Sequence, residues 1–184
     1  MRQMILAAAL EEINIRGLRF TMQDLATRMK VSKRSLYENF ASKEELVGSL
    51  LDDILAEMAR QEQAICESAY SPREKLQQLL TVHPYEAEMF NKNIYEDLRR
   101  MFPNQWQKVE ASRLERQQRI EQLLRAGIEQ GELRAVNVGL VGELIKDAFD
   151  SFTSYSFLDS NGLTYKGAMQ DLLEILYHGI LIKK

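Results

Sequence analysis

Lys33, Arg34, Ser35 and Asn39 fall within SKRSLYENF, where Leu36 and Phe40 recur at helical spacing on the opposite side. Arg34 or Lys33 can pair with guanine O6 and N7, and Asn39 with adenine N6 and N7, each pair discriminating by roughly 1–3 kcal/mol. Either basic side chain could equally lie on a phosphate, and Glu38 is expected to face solvent rather than read cytosine. Positioning contacts need backbone amides and charge, which helix N-termini supply. Thr21, Ser32 and Ser42 are such starts, with Lys43 adding a mobile charge beside the last. Tyr37, one turn beyond Lys33, could reach a phosphate through its hydroxyl. Capping explains Thr21 and Ser42 as well, and packing explains Tyr37.

These residues need a frame. A helix from Thr21, with Asp24 three positions on, buries Leu25, Ala26 and Met29. Lys30 and Val31 carry a turn, and Ser32 opens a second helix over Lys33–Asn39. That is a helix-turn-helix. Before it, Met4 to Arg16 places Ile5, Leu6, Ala9, Leu10 and Ile13 on one face and stops at Gly17, expected as a left-handed cap. After it, Ser42-Lys43-Glu44-Glu45 is an S-x-x-E capping box that opens a long helix.

Ile5 to Leu46, with ILAAALEEI, the Gly17 break, T-x-x-D-L-A, V-S-K-x-x-L-Y-x-x-F and x-S-K-E-x-L, resembles the DNA-binding domain of TetR-family transcriptional regulators. The resemblance implies backbone contacts at Thr21, Tyr37 and Lys43 and a homodimer. YEDLRRMFPNQW resembles a segment of many TetR-type regulatory domains. Arg34 and Glu38 depart from the common pattern, so the operator sequence does not carry over.

Across 184 residues the formal net charge is −3, with 45% hydrophobic and 28% charged residues, three prolines and nine glycines. Residues 1–47 hold eight basic and six acidic side chains, a net +2 that leaves −5 for the rest. A polyanion meets the N-terminal end first. One cysteine, Cys66, excludes an intramolecular disulfide and a multi-cysteine metal site. No apolar run approaches the roughly 20 residues of a membrane helix, and the N-terminus is no signal peptide, so a cytoplasmic location is expected. No cofactor is expected.

The rest of the chain reads as helices: Lys43 to about Glu67, a restart at Ser71-Pro72, then Tyr85–Met101, Gln105–Gln130, Val138–Leu158 and Tyr165–Ile182. The expected fold class is all-α: a three-helix DNA-binding domain over residues 1–47 and a helical regulatory, ligand-binding and dimerisation bundle over 48–184. The last two helices carry apolar stripes wider than one core needs, and a four-helix interface between two copies would use Leu144, Ala148, Leu172, Leu173, Leu176 and Ile180. A central position in a thick bundle is the other reading of those stripes. Phe90, Tyr95, Trp106, Phe149, Phe152 and Tyr155 could line a pocket for a small hydrophobic or aromatic effector, anchored by His83, Tyr85, Asn93 or Cys66. Each aromatic is also an ordinary core residue.

The chain is therefore expected to be a sequence-specific DNA-binding regulator, a repressor released from a palindromic operator by an effector. An architectural or partner-regulated DNA-binding protein without an effector is the alternative. An enzyme finds no support in two histidines 95 positions apart, one cysteine and no phosphate-binding glycine loop.

Overall fold

The computed structural model describes residues 1–82, 94–153 and 155–180, excluding the side chains of 153, 155, 156, 159, 165, 166 and 180. These residues form helices and turns, with no strand among them. In chain order the helices are α1 (Arg2–Arg16), α2 (Met22–Met29), α3 (Lys33–Tyr37), α4 (Lys43–Glu67), α5 (Pro72–Thr81), α6 (Ile94–Met101), α7 (Pro103–Glu129), α8 (Val138–Thr153), α9 (Tyr155–Ser160) and α10 (Tyr165–Ile180). A short 3-10 turn, Gly17–Arg19, separates α1 from α2. No described helix is long and apolar enough to cross a membrane.

The chain divides into two compact units. The first comprises Met1–Glu57 and Pro84–Val109, the second Met58–His83 and Glu110–Lys184. The sequence reading divided the chain at residue 47. The physical boundary differs because apolar residues of the later segment, Leu98, Phe102 and Val109, are buried in the same core as Ile5, Leu25, Leu36, Phe40 and Leu46. A separate core in the second unit joins Leu76, Leu79 and Leu80 of α5, Ile120 and Leu124 of α7, Val141 and Ile145 of α8, and Leu173 of α10. Gly48 sits where α4 meets α7 within the first unit: a Cβ there would lie 2.9 Å from the Gln105 amide oxygen, so a larger residue would require the end of the Gln105 side chain to shift.

Three expected features change. Gly17 has φ 64° and ψ −161°, a positive-φ conformation other than the left-handed cap, and it starts the 3-10 turn instead of closing α1 with a Schellman loop. The second helix of the motif ends at Tyr37, not Asn39, with Glu38 as its C-cap. The expected helix Val138–Leu158 is described as α8 and α9. The start of the expected Tyr85–Met101 helix lies outside the described residues.

Candidate nucleic-acid interface

The helix-turn-helix is built from local hydrogen bonds that its sequence encodes. Thr21 Oγ1 accepts from the Asp24 amide at 3.1 Å, while the Thr21 amide donates to Asp24 Oδ2 at 2.7 Å, a complete capping box for α2. The Thr21 hydroxyl also donates to Asp24 Oδ2, at 2.7 Å. These bonds from Thr21, with Arg16 alongside, hold the Asp24 carboxyl below its ordinary pKa. At the other end of α2, Lys30 takes φ 56° and ψ 38°. Its amide bonds to Thr27 O and that of Val31 to Ala26 O, the paired bonds of a Schellman motif with lysine where glycine is usual. Ser32 then caps α3 by accepting from the Ser35 amide at 3.1 Å. Ser42 caps α4 by accepting from the Glu45 amide, but the Glu45 carboxylate reaches back to the Ala41 amide instead of that of Ser42.

The short α3 presents Ser32, Lys33, Arg34, Tyr37 and Glu38 to solvent and buries Leu36 completely. Arg34 Nε donates to Glu38 Oε1 at 3.0 Å across one turn. Ser35 and Asn39 are half-buried, and their polar groups are bonded within the motif. Ser35 Oγ pairs with Ser32 Oγ at 2.9 Å, and Asn39 Nδ2 donates to the Ser35 carbonyl at 2.9 Å. Asn39 thus bonds to the helix end through its side-chain amide.

Lys43 also differs from expectation. Its ammonium is engaged by the fold: it donates to the Leu18 carbonyl at 2.5 Å and lies 4.5 Å from the centre of the Phe20 ring. Desolvation pushes its pKa down, against the pull of Asp24 and Asp97. Two further residues missed by the sequence reading help hold the motif. Arg2 donates to the Asn39 carbonyl and to Ser49 Oγ, each at 2.8 Å, with its guanidinium carbon 4.0 Å from the centre of the Phe40 ring. Asp97, buried in α6, lies 3.5 Å from Arg19 Nε and 3.0 Å from Arg100 Nη2. Contacts 37 and 78 positions apart leave no periodic trace in a sequence, so nothing in it pointed to either residue.

Arg28 donates to Glu12 and Glu11 from α2, and Arg16 pairs with Glu12 and Asp24. Arg2, Arg16, Arg19, Arg28 and Lys43 thus brace the head. Lys30, Lys33 and Arg34 carry the positive charge at the turn and on α3.

Tyr95 and Trp106 pack against the core of the first unit, Phe149 packs against that of the second, and Phe152 stacks on Phe157 with ring centroids 5.7 Å apart. Phe90, His83, Tyr85, Asn93 and the Tyr155 side chain lie outside the described residues. No group of three or more His, Cys, Asp or Glu among the described residues could hold a metal ion. Of the interface candidates, Leu173 is buried in its own unit's core, where it serves folding, and Leu176 packs against that core. Ala148 and Leu172 are half-buried, Leu144 is exposed, and the Ile180 side chain is outside the described residues. Leu140 and Ile175, absent from the expected set, are 60% and 70% exposed.

The model of the family described as bacterial regulatory proteins, tetR family, matches residues 5–50. The chain is 30% identical over 175 residues to the HTH-type transcriptional repressor KstR2 of Mycobacterium tuberculosis, covering 90% of this chain and 85% of that protein. It is 26% identical over 181 residues to the uncharacterized HTH-type transcriptional regulator YvaF of Bacillus subtilis, covering 98% and 95%. The solved structure of the ketosteroid transcriptional regulator KstR2 of M. tuberculosis superposes with TM-score 0.73 at 27% identity, over 99% of this chain and 95% of that one. The capped helix-turn-helix, the all-helical fold and these likenesses agree: the chain belongs to the TetR family of DNA-binding transcriptional regulators.

Proposed function

We propose that the protein is a homodimeric repressor that reads a palindromic operator and leaves it when a small hydrophobic or aromatic effector binds the second unit. The observation that carries this reading is the capped, braced α3 with Lys33, Arg34 and Tyr37 exposed. Two copies with their α3 helices about 34–36 Å apart would meet successive major grooves. Lys33 and Arg34 supply base or phosphate contacts, and free amides at the starts of α2 and α4 face phosphates with Tyr37. Thr21 and Ser32 act there through helix caps, since their hydroxyls already serve the fold. Supporting a dimer, Leu140, Leu144 and Ile175 leave apolar surface exposed on α8 and α10. An effector acts only through its differential affinity for the two dimer geometries, and coupling of roughly 1–3 kcal/mol changes operator affinity by about 5 to 150-fold. Such a repressor works in the cytoplasm.

Selection of bound fragments from a random DNA library at two salt concentrations, with sizing of the complex, tests this function. A palindrome bound by a dimer, more weakly at high salt, is the expected result. No binding at either salt overturns it. Leu144→Glu combined with Ile175→Glu should convert the dimer to a folded monomer by sedimentation; a variant still dimeric moves the interface elsewhere. An architectural or partner-regulated DNA-binding protein without an effector is the alternative reading. Binding without a sequence motif would support its architectural form.

A further inference from the structure

The contact between Arg34 and Glu38 is hard to explain as a stabilising device. Both side chains are largely exposed, 89% and 60%. A solvated i,i+4 pair contributes little to helix stability. Glu38 also puts a carboxylate on the surface that faces DNA in the proposed function, where it repels phosphates and lowers affinity for any duplex. A residue that costs affinity and adds little stability has its use in what it does to its neighbour.

The bond geometry says what that is. A guanidinium has two recognition edges: a side edge carrying Nε–H and one Nη–H, and an end edge carrying one proton from each Nη. Glu38 Oε1 accepts from Nε at 3.0 Å, so the carboxylate occupies the side edge. The end edge is left pointing along the axis of the side chain. That edge matches the O6 and N7 acceptors of guanine, two parallel bonds in the plane of the base. A bidentate phosphate contact through the side edge would require the guanidinium to leave Glu38, and the same carboxylate repels the phosphate that would replace it.

We propose that Glu38 is a positioning residue that holds Arg34 end-on into the major groove, so that the pair reads one guanine in each half-site and Arg34 is kept off the phosphates. Lys33, an ammonium on the same exposed surface, lacks this restriction and takes the backbone contact. The inference rests on the proposed reading that α3 enters the groove. It explains why a recognition helix can carry an acid without that acid touching a base.

The test uses the full-length protein. Wild type, Glu38→Gln, Arg34→Ala and the double variant are each put through selection from a random DNA library, followed by affinity measurements on the selected site and on poly(dI-dC). Glu38→Gln is expected to lower the preference for guanine at one position of each half-site by about tenfold, to leave the other positions unchanged and to bind poly(dI-dC) more tightly. Arg34→Ala should lose preference at that same position, and adding Glu38→Gln to it should change that preference no further. A purely structural role for Glu38 would instead weaken all positions together. If Glu38→Gln retains the guanine preference, or loses preference at a different base pair, the inference is overturned; the second outcome would make Glu38 a reader of cytosine. If wild type selects no motif at all, the reading of α3 as the DNA-recognition element falls, and the inference falls with it. Both side chains are exposed, so matching thermal melts show that the variants are folded.

Discussion

Glu12 in the first unit and Glu62 in the second are 2% and 3% exposed, and each lies between two arginines. Around Glu12 both cations reach water: Arg16 and Arg28 side chains are 54% and 31% exposed. They come from α1 and α2, so the carboxylate fixes how those helices cross beneath the recognition motif. Around Glu62 one cation is buried with it. The Arg116 side chain is 9% exposed, lies 4.9 Å from the centre of the Phe149 ring and donates to the carbonyls of Leu79 and Val82. Those carbonyls belong to the end of α5, where helices leave acceptors without intrahelical partners. The same three-residue chemistry therefore does different work. In the head it orients helices at the surface, while in the bundle it satisfies a helix end inside the core.

Removing each carboxylate tests that difference. Glu62→Ala takes the anion from a buried guanidinium and should cost about 3 kcal/mol or more, read as a lower urea midpoint. Glu12→Ala leaves two arginines that can hydrate and should cost about 2 kcal/mol, with operator affinity falling further than stability alone accounts for. Equal costs would mean that burial of the cation does not matter. The smallest effects are expected from pH. The depressed pKa of Asp24 makes its cap fully effective above the usual carboxylate range and lost as pH falls through the folded value, so Asp24→Asn should flatten part of the acid limb of stability. In the second unit the Tyr177 phenol is pushed up to about 12 by burial, with the nearby Arg73 opposing. Its contribution is complete below the ordinary tyrosine pKa of about 10 and is lost as pH rises through about 12, so Tyr177→Phe should flatten part of the alkaline limb. If both variants altered the same limb, the two units would not be titrating separately.

The helix-turn-helix was legible because its determinants are three or four positions apart. Thr21 with Asp24, Ser32 with Ser35, Ser42 with Glu45 and the apolar period through Leu36 and Phe40 are all local. Even there, the periodicity overran the end of α3, since it cannot show the Asn39 amide turning back to the Ser35 carbonyl. What could not be read was partnership over distance. Lys43 is a solvent-facing cation by its neighbours in sequence and a Leu18 partner 25 positions away in the fold. Glu12 and Glu62 are charged residues that helical spacing does not single out, yet both are buried. The aromatic residues mark which helix faces are apolar and carry no sign of which core each joins: Trp106 and Phe149 look alike in sequence and pack against different ones.

Lys30, with its left-handed backbone at the turn of the motif, places two selective pressures in opposition. Glycine would adopt that conformation without the roughly 1 kcal/mol penalty that a Cβ incurs. It would also remove a positive charge beside the recognition helix, and with it about one unit of the salt dependence of DNA binding if that charge displaces a counterion. A library of variants sorted for heat resistance should therefore drift to glycine at position 30 and emerge as poorer DNA binders, while one sorted for DNA binding should keep a cation there and tolerate the strain.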